Sequence, residues 1–250
     1  MGVTLAYPGG SKKGEMIFLT SDELQKPHKA SEFEDWVSRK IEEISSTKEG
    51  RNALRLREGL AKNLMEEAYP LSLFASKFFD RSEEVTLQIL IGNQNFDAIV
   101  QDGWKEKGLI QYVEVTQAHE GEDFHLRMIN LCKEGSVSAI GKVNKQGTKR
   151  TGLYVSVENE ARLHSDIVDE ELKRIGDALK RKIGKIYPQG TALVVAFDDY
   201  VAITKPSDLV LLKNSIDHFH PELSKFVLLF LIGISGKNYL TFFNKPQRTL

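Results

Sequence analysis

Two acids, one at the start of an apolar run and one inside the next, are the residues of this chain best placed to do chemistry. Asp97 lies in Asn95-Phe96-Asp97-Ala98-Ile99-Val100, and seventeen residues later Glu114 lies in Tyr112-Val113-Glu114-Val115-Thr116-Gln117. Side chains alternate along a strand, so Glu114 and Thr116 share one face while Val113, Val115 and Gln117 share the other. If the two runs pair as strands, the carboxylates of Asp97 and Glu114 converge at a sheet edge. Such hard oxygen donors suit Mg²⁺ (or Mn²⁺), which combines one or two protein carboxylates with water and substrate phosphate. Taken singly, each acid has a plainer reading: Asp97 as a strand-start or turn acid, Glu114 as an exposed residue on a half-solvated sheet.

The elements that would hold these acids can be read from periodicity. Phe33, Trp36, Val37, Ile41 and Ile44 recur at helical steps behind Ser31 as an N-cap, and a second helical stretch covers Arg51 to Phe79, kinked or broken at Pro70. Val85 to Ile91, Phe96 to Val100 and Leu109 to Thr116 read as three successive strands, a meander. Phe124 to Leu131 is helical, and Val137 to Val143 and Gly152 to Val157 flank Asn144-Lys145-Gln146-Gly147 as a hairpin with a basic tip. Leu163 to Tyr187 is an amphipathic helix, Thr191 to Phe197 a strand buried on both faces, and Pro206 to Phe219 a helix. A hairpin of Phe226–Ile234 with Tyr239–Phe243 follows. The fold expected is α/β, a central mixed β-sheet flanked by helices, with a helical N-terminal region. Residues 1–15 read as a flexible leader and 16–250 as a single domain with its core at about 60–200.

The order of these parts resembles the PD-(D/E)XK nuclease superfamily, whose fold is called restriction-endonuclease-like. There an acid on one strand precedes Glu-x-Lys on the next, after a helix that contributes a Glu and before a helix with basic residues. Here Glu66 and Glu67 lie on the helix, then come Asp97 and Glu114-Val115-Thr116. The resemblance covers about Leu60 to Phe197 and implies a metal-dependent endonuclease hydrolysing DNA phosphodiester bonds, in restriction or defence. It implies Mg²⁺ held by Asp97 and Glu114 with Glu66 or Glu67 as a third acid, and Thr116 positioning a water. Thr116 stands where the pattern has Lys and brings no charge. Gln117, Lys142 and Lys182 are open as its substitute, and no spacing selects among them. The alternative within the same fold is a catalytically inactive nucleic-acid-binding or protein-interaction module.

The chain of 250 residues balances 34 Lys+Arg against 35 Asp+Glu, a net charge of -1, so a nucleic-acid partner has to be gripped locally. Lys142, Lys145, Lys149 and Arg150 at the hairpin are the candidates for that grip. Lys173, Arg174, Lys180, Arg181, Lys182 and Lys185 on the long helix, offset by Glu170, Glu171 and Asp177, read mostly as a solvated face. His119 and His125 are candidates for a proton relay. With 41% hydrophobic residues a sizeable core is available, and collagen-like, disordered and disulfide-stapled classes are excluded. The single Cys132 suits a reducing compartment, hence a cytoplasmic protein. The longest apolar run, Phe226 to Ile234, is nine residues, short of the ~20 that span a bilayer. The two C-terminal strands either complete the sheet or pair across a homodimer.

Overall fold

A strand apolar at every position has to be covered on both faces, and Thr191–Phe197 is buried at each of its residues. The computed structural model describes residues 18–102, 109–148, 152–219 and 222–243; the leader read at residues 1–15 lies outside them. In chain order the elements are α1 (Ser21–Leu24), β1 (His28–Lys29), α2 (Ala30–Ser45), α3 (Lys48–Leu56), α4 (Leu60–Asn63), a π-helical turn (Leu64–Ala68), α5 (Tyr69–Phe78), β2 (Val85–Ile89), β3 (Ala98–Asp102) and β4 (Tyr112–Gln117). There follow α6 (Glu122–Glu134), β5 (Val143–Thr148), β6 (Gly152–Val157), α7 (His164–Ile183), β7 (Thr191–Phe197), α8 (Pro206–Asp217), a 3₁₀ turn (Glu222–Lys225), β8 (Leu228–Gly233) and β9 (Tyr239–Phe243).

Seven of these strands form one mixed sheet in the order β1-β2-β3-β4-β7-β8-β9. The meander β2-β3-β4 is antiparallel, β4, β7 and β8 run parallel, and β9 returns antiparallel on β8 within the same chain. Alternation along β7 sorts the core into two layers. Ala192, Val194 and Ala196 join Val113, Val115, Phe230 and Ile232 under Phe33 of α2 and Phe74 of α5. Leu193, Val195 and Phe197 join Leu229 and Leu231 under Ile175 and Leu179 of α7 and Leu212 of α8. The sheet is therefore helix-covered on both faces, as its apolar central strands require. Among the described residues no helix is long and apolar enough to cross a membrane.

Three expectations change. Helix α2 starts at Ala30 behind Lys29 with no side-chain cap, so Ser31 lies inside its first turn, where its N–H donates to the Ser82 carbonyl. Asn144 to Gly147 is strand rather than turn, since β5 pairs with β6 through Thr148↔Gly152, and nothing from Val137 to Lys142 joins a strand. This two-stranded ribbon stands outside the main sheet, and β5, unlike Leu153, Val155 and Val157 of β6, carries no apolar alternation that would have marked it. The long helical stretch breaks at residues 57–59, between α3 and α4, and not at Pro70, which lies in the first turn of α5 and, having no N–H and crowding the carbonyl four residues back, only distorts the helix. Just ahead of it the helix widens into the π turn, where the Tyr69 N–H reaches the Leu64 carbonyl.

At the end of β8 the backbone passes close to the Asp199 carboxylate, which accepts hydrogen bonds from the Ser235 N–H and hydroxyl and the Asn238 amide. A Cβ at Gly233 would stand 2.2 Å from Asp199 Oδ2. Gly233→Ala is expected to destabilise by about 1–3 kcal/mol. Calorimetry should show the melting temperature falling by roughly 2–4 °C per kcal/mol for a chain of this size.

Candidate active site

Strands β3 and β4 stay paired only through Ala98↔Val113 and Ile99↔Tyr112. The Asp97 N–H extends the ladder by one bond to the Val113 carbonyl, at 2.8 Å, which sets Asp97 opposite Glu114 in the continued register. Beyond that point β4 runs on toward Gln117, still bonded to β7 on its other side. The next outward donor, the Val115 N–H, is met by Asp97 Oδ2 at 2.7 Å. An unpaired strand donor inside the protein requires a partner, and the carboxylate serves as one.

Glu114 points to the α7 side and is 4% exposed. A carboxylate so buried needs a counter-charge, and Lys182 supplies it, with Nζ 2.5 Å from Oε1. The Tyr187 hydroxyl donates to the same oxygen at 3.5 Å. Burial first, then the nearby charges of Glu114 and Asp97, hold the Tyr187 phenol above its ordinary pKa. Of the three substitutes open for the motif lysine, Lys182 is the one whose charge reaches Glu114. Gln117 is engaged elsewhere: its Nε2 donates to the Met65 carbonyl at 2.8 Å. In the π turn that carbonyl's partner would be the absent N–H of Pro70, so Gln117 fills a gap left by the proline.

A cavity of about 360 Å³ opens beside these groups, lined by Glu66 and Glu67 from the π turn, Asp97, Thr116, Gln117 and Lys182. Lys62, Arg181 and Lys185 also line it, and Arg181 and Lys185 are exposed. The buried acids repel one another. Burial and, next, the charge of Glu114 push the Asp97 carboxyl up to about 7, against the pull of the Val115 N–H. Glu67 is also raised, chiefly by burial and then by Glu66 and Glu114, although Asn63 Nδ2 donates to both of its oxygens. Among the described residues no three His, Cys, Asp or Glu side chains stand at metal-holding spacing. A cage of that kind is the requirement of other ions: Mg²⁺ is held by one or two carboxylates with water and phosphate. Buried, mutually repelling oxygen donors with a carboxyl raised to about 7 fit that group.

The remaining candidates fall elsewhere. Lys145 pairs with Glu122 on the surface, and Lys142 is exposed and does not line the acid cavity; Lys149 and Arg150 lie outside the described residues. The long helix divides by face: Lys180 pairs with Asp177 at 3.7 Å and Arg174 with Glu120, Glu170 and Glu171, whereas Arg181, Lys182 and Lys185 turn to the acids. His119 lines the acid cavity and a larger one next to it, and His125 only the larger. Sequence reasoning missed Lys62 and Tyr187, which carry no periodic signal. No protein-family model, curated protein or solved structure matches the chain.

Two outcomes are expected. A carboxyl whose folded pKa of about 7 lies above its unfolded value of roughly 3.9 binds more protons in the folded state between those limits, so its contribution to stability falls as pH rises from 4 to 7. Asp97→Asn keeps an acceptor for Val115 and should leave the melting temperature unchanged at pH 4 while raising it at pH 8, by about 1–3 kcal/mol of stability. Lys182→Met should destabilise by about 3–5 kcal/mol by leaving Glu114 buried without its cation. Chemical denaturation should show that loss largely restored in Lys182→Met/Glu114→Leu.

Proposed function

We propose that the protein is a metal-dependent nuclease of restriction-endonuclease-like fold that hydrolyses DNA phosphodiester bonds. The observation that carries the reading is that Asp97 stands opposite Glu114 in the continued register of β3 and β4 and feels its charge, with the Lys182 ammonium on Glu114. Asp97 and Glu114 would hold Mg²⁺ (or Mn²⁺), with Glu67 or Glu66 from the π turn as a third acid. The chemistry that such an ion supplies when bound is charge neutralisation at a phosphoryl oxygen and acidification of a water.

The chain's own residues do the rest. Asp97 is locked in position by the Val115 N–H and must give up its proton before it can ligate. Lys182 brings from α7 the positive charge that Thr116 cannot bring from β4. The Thr116 hydroxyl, lining the same cavity, both donates and accepts and so can orient a water. Lys62, Arg181 and Lys185 provide the local basic surface for phosphates on either side of the bond to be cut. That surface answers the net charge of -1: the grip on nucleic acid is concentrated at one cavity.

Plasmid cleavage with Mg²⁺ or Mn²⁺ tests the assignment. Wild type is expected to cleave, and Asp97→Ala and Glu114→Ala to lose on the order of 10²-fold or more. Equal activity in all three would sink the assigned site. Salt-sensitive DNA binding that needs no metal and survives loss of both acids, with no cleavage by wild type, would instead support an inactive binding module. Mn²⁺ should also raise the melting temperature of wild type at pH 8 and leave that of Asp97→Asn nearly unmoved, because only a ligand that prefers the folded state stabilises it.

A further inference from the structure

Next to the acid cavity lies a second of about 750 Å³, and the two share Lys62, Glu66, Gln117 and His119 in their walls. It sits at the carboxyl ends of the parallel strands β4 and β7, where Ala118 and Phe197-Asp198 line it, the usual place for a ligand in an α/β sheet. Ile41, Leu56, Met65, Phe124 and Met128 give it apolar walls. The volume is in the range of small-molecule sites.

The charges around this space are mostly settled among themselves. Arg127 donates to Glu120 and to the Ser138 and Gly141 carbonyls, and Arg174 binds Glu120, Glu170 and Glu171. Glu171, fully buried and pushed up to about 7 by that burial, accepts from the Asp198 N–H and Arg174. Arg55 and Arg57 take no part in these ion pairs; Arg55 is hydrogen-bonded at the Cys132 thiol, and Arg57 is the better placed for an anion. Its guanidinium lies over the Phe124 ring at 5.7 Å and donates to the Leu54 carbonyl at 3.3 Å, yet among the described residues no carboxylate comes within 4 Å of it. Burial pulls its pKa down, against the opposing charge of Glu66, which also lines the cavity. The residue is also held at φ 56 and ψ 49 as the cap of α3, a left-handed conformation that glycine adopts more easily. His119 stands between the cavities with Nδ1 accepting from the Gly121 N–H at 2.8 Å. Burial lowers its pKa, so the ring is neutral and its remaining nitrogen carries the proton, a donor.

We infer that the larger cavity is a nucleotide subsite, taking one unstacked nucleotide of the substrate strand with its phosphate on Arg57 and its base between the apolar walls. An anion completes Arg57, and a guanidinium matches phosphate with two parallel hydrogen bonds. The shared wall places that nucleotide beside the acids, so the inference rests on the hydrolase reading for its meaning. Its chemistry is separate and can be tested without catalysis.

Calorimetric titration of the full chain with 2′-deoxyadenosine 5′-monophosphate in EDTA is the experiment. Wild type and Asp97→Ala are expected to bind equally, because Asp97 lines only the smaller cavity. Arg57→Gly, which relaxes the left-handed backbone and so keeps the fold, should bind about tenfold more weakly. Deoxyadenosine without its phosphate should bind wild type as weakly as the nucleotide binds that variant. Absence of nucleotide binding by wild type, undiminished binding by Arg57→Gly, or inorganic phosphate binding as tightly as the nucleotide would each overturn the subsite. Nucleotide binding with no plasmid cleavage would overturn the hydrolase reading and leave the subsite standing.

Discussion

Beyond Val113 the outer edge of β4 has no strand beside it, and the arrangement of the acid cavity follows from how that edge is satisfied. An open edge inside a protein exposes backbone donors that cannot be left alone. Here a side chain closes it: Asp97, whose N–H makes the last bond of the ladder to the Val113 carbonyl, turns its carboxylate onto the Val115 N–H. The strand divergence opens the space, and the same divergence brings an acid into it. On the other flank, the Gln117 amide ties β4 to the π turn through the Met65 carbonyl, bringing Glu66 and Glu67 to the rim. One short strand thereby organises three acids through backbone hydrogen-bonding requirements alone.

Helix α7 does the same for charge of the opposite sign. Its buried stripe runs Val168, Glu171, Ile175, Ala178 and Leu179, and Lys182 continues it three residues after Leu179 and seven after Ile175. Two charged residues thus occupy positions that packing reserves for apolar ones, and each ends in a cavity. Lys182 meets Glu114 and Glu171 meets Asp198 and Arg174. A buried ion pair is a poor source of net stability, since desolvation offsets most of the attraction. Its effect is to fix where α7 lies on the sheet, and with it the approach of Arg181 and Lys185 to the acids.

Much of this was legible before the structure. The unbroken apolar run of β7, the meander through β4 and the stripe of α7 carry their own periodicities, and each was placed to within a few residues. That Asp97 would stand opposite Glu114 followed from the pairing of their strands. What escaped did so for physical reasons. Strands β5 and β6 stand as a ribbon outside the core, so no apolar alternation marks β5. The distortion at Pro70 was visible, but its consequence, an unpartnered carbonyl that claims Gln117, depends on a neighbour about fifty residues away in sequence, and the break at residues 57–59 was not read. Lys182 did leave a signal: a lysine on a buried helical stripe implies a buried acid opposite. Counting the helix's charges as one solvated face hid it, because Arg174 and Lys180 do pair along the surface.

The balanced total charge acquires a structural meaning from this sorting. Acids collect on the floor of the smaller cavity, where burial strengthens their repulsion and raises Asp97, while Lys62, Arg181 and Lys185 line the same space. Opposite charges at such short range cancel in the sum and at distances beyond the Debye length, roughly 8 Å in physiological salt. They do not cancel for a group that enters the cavity itself. A phosphate meets the cations there, but a pair of ionised acids repels it unless their charge is first offset. The proton therefore answers the deficit at Asp97: the protonated carboxyl stabilises the fold, and the carboxylate that replaces it as the pH passes about 7 adds a buried charge beside Glu114. A carboxyl held in this way gives up stability as the pH rises through neutrality, because the backbone donor that fixes it in place cannot offset its burial beside the charge of Glu114.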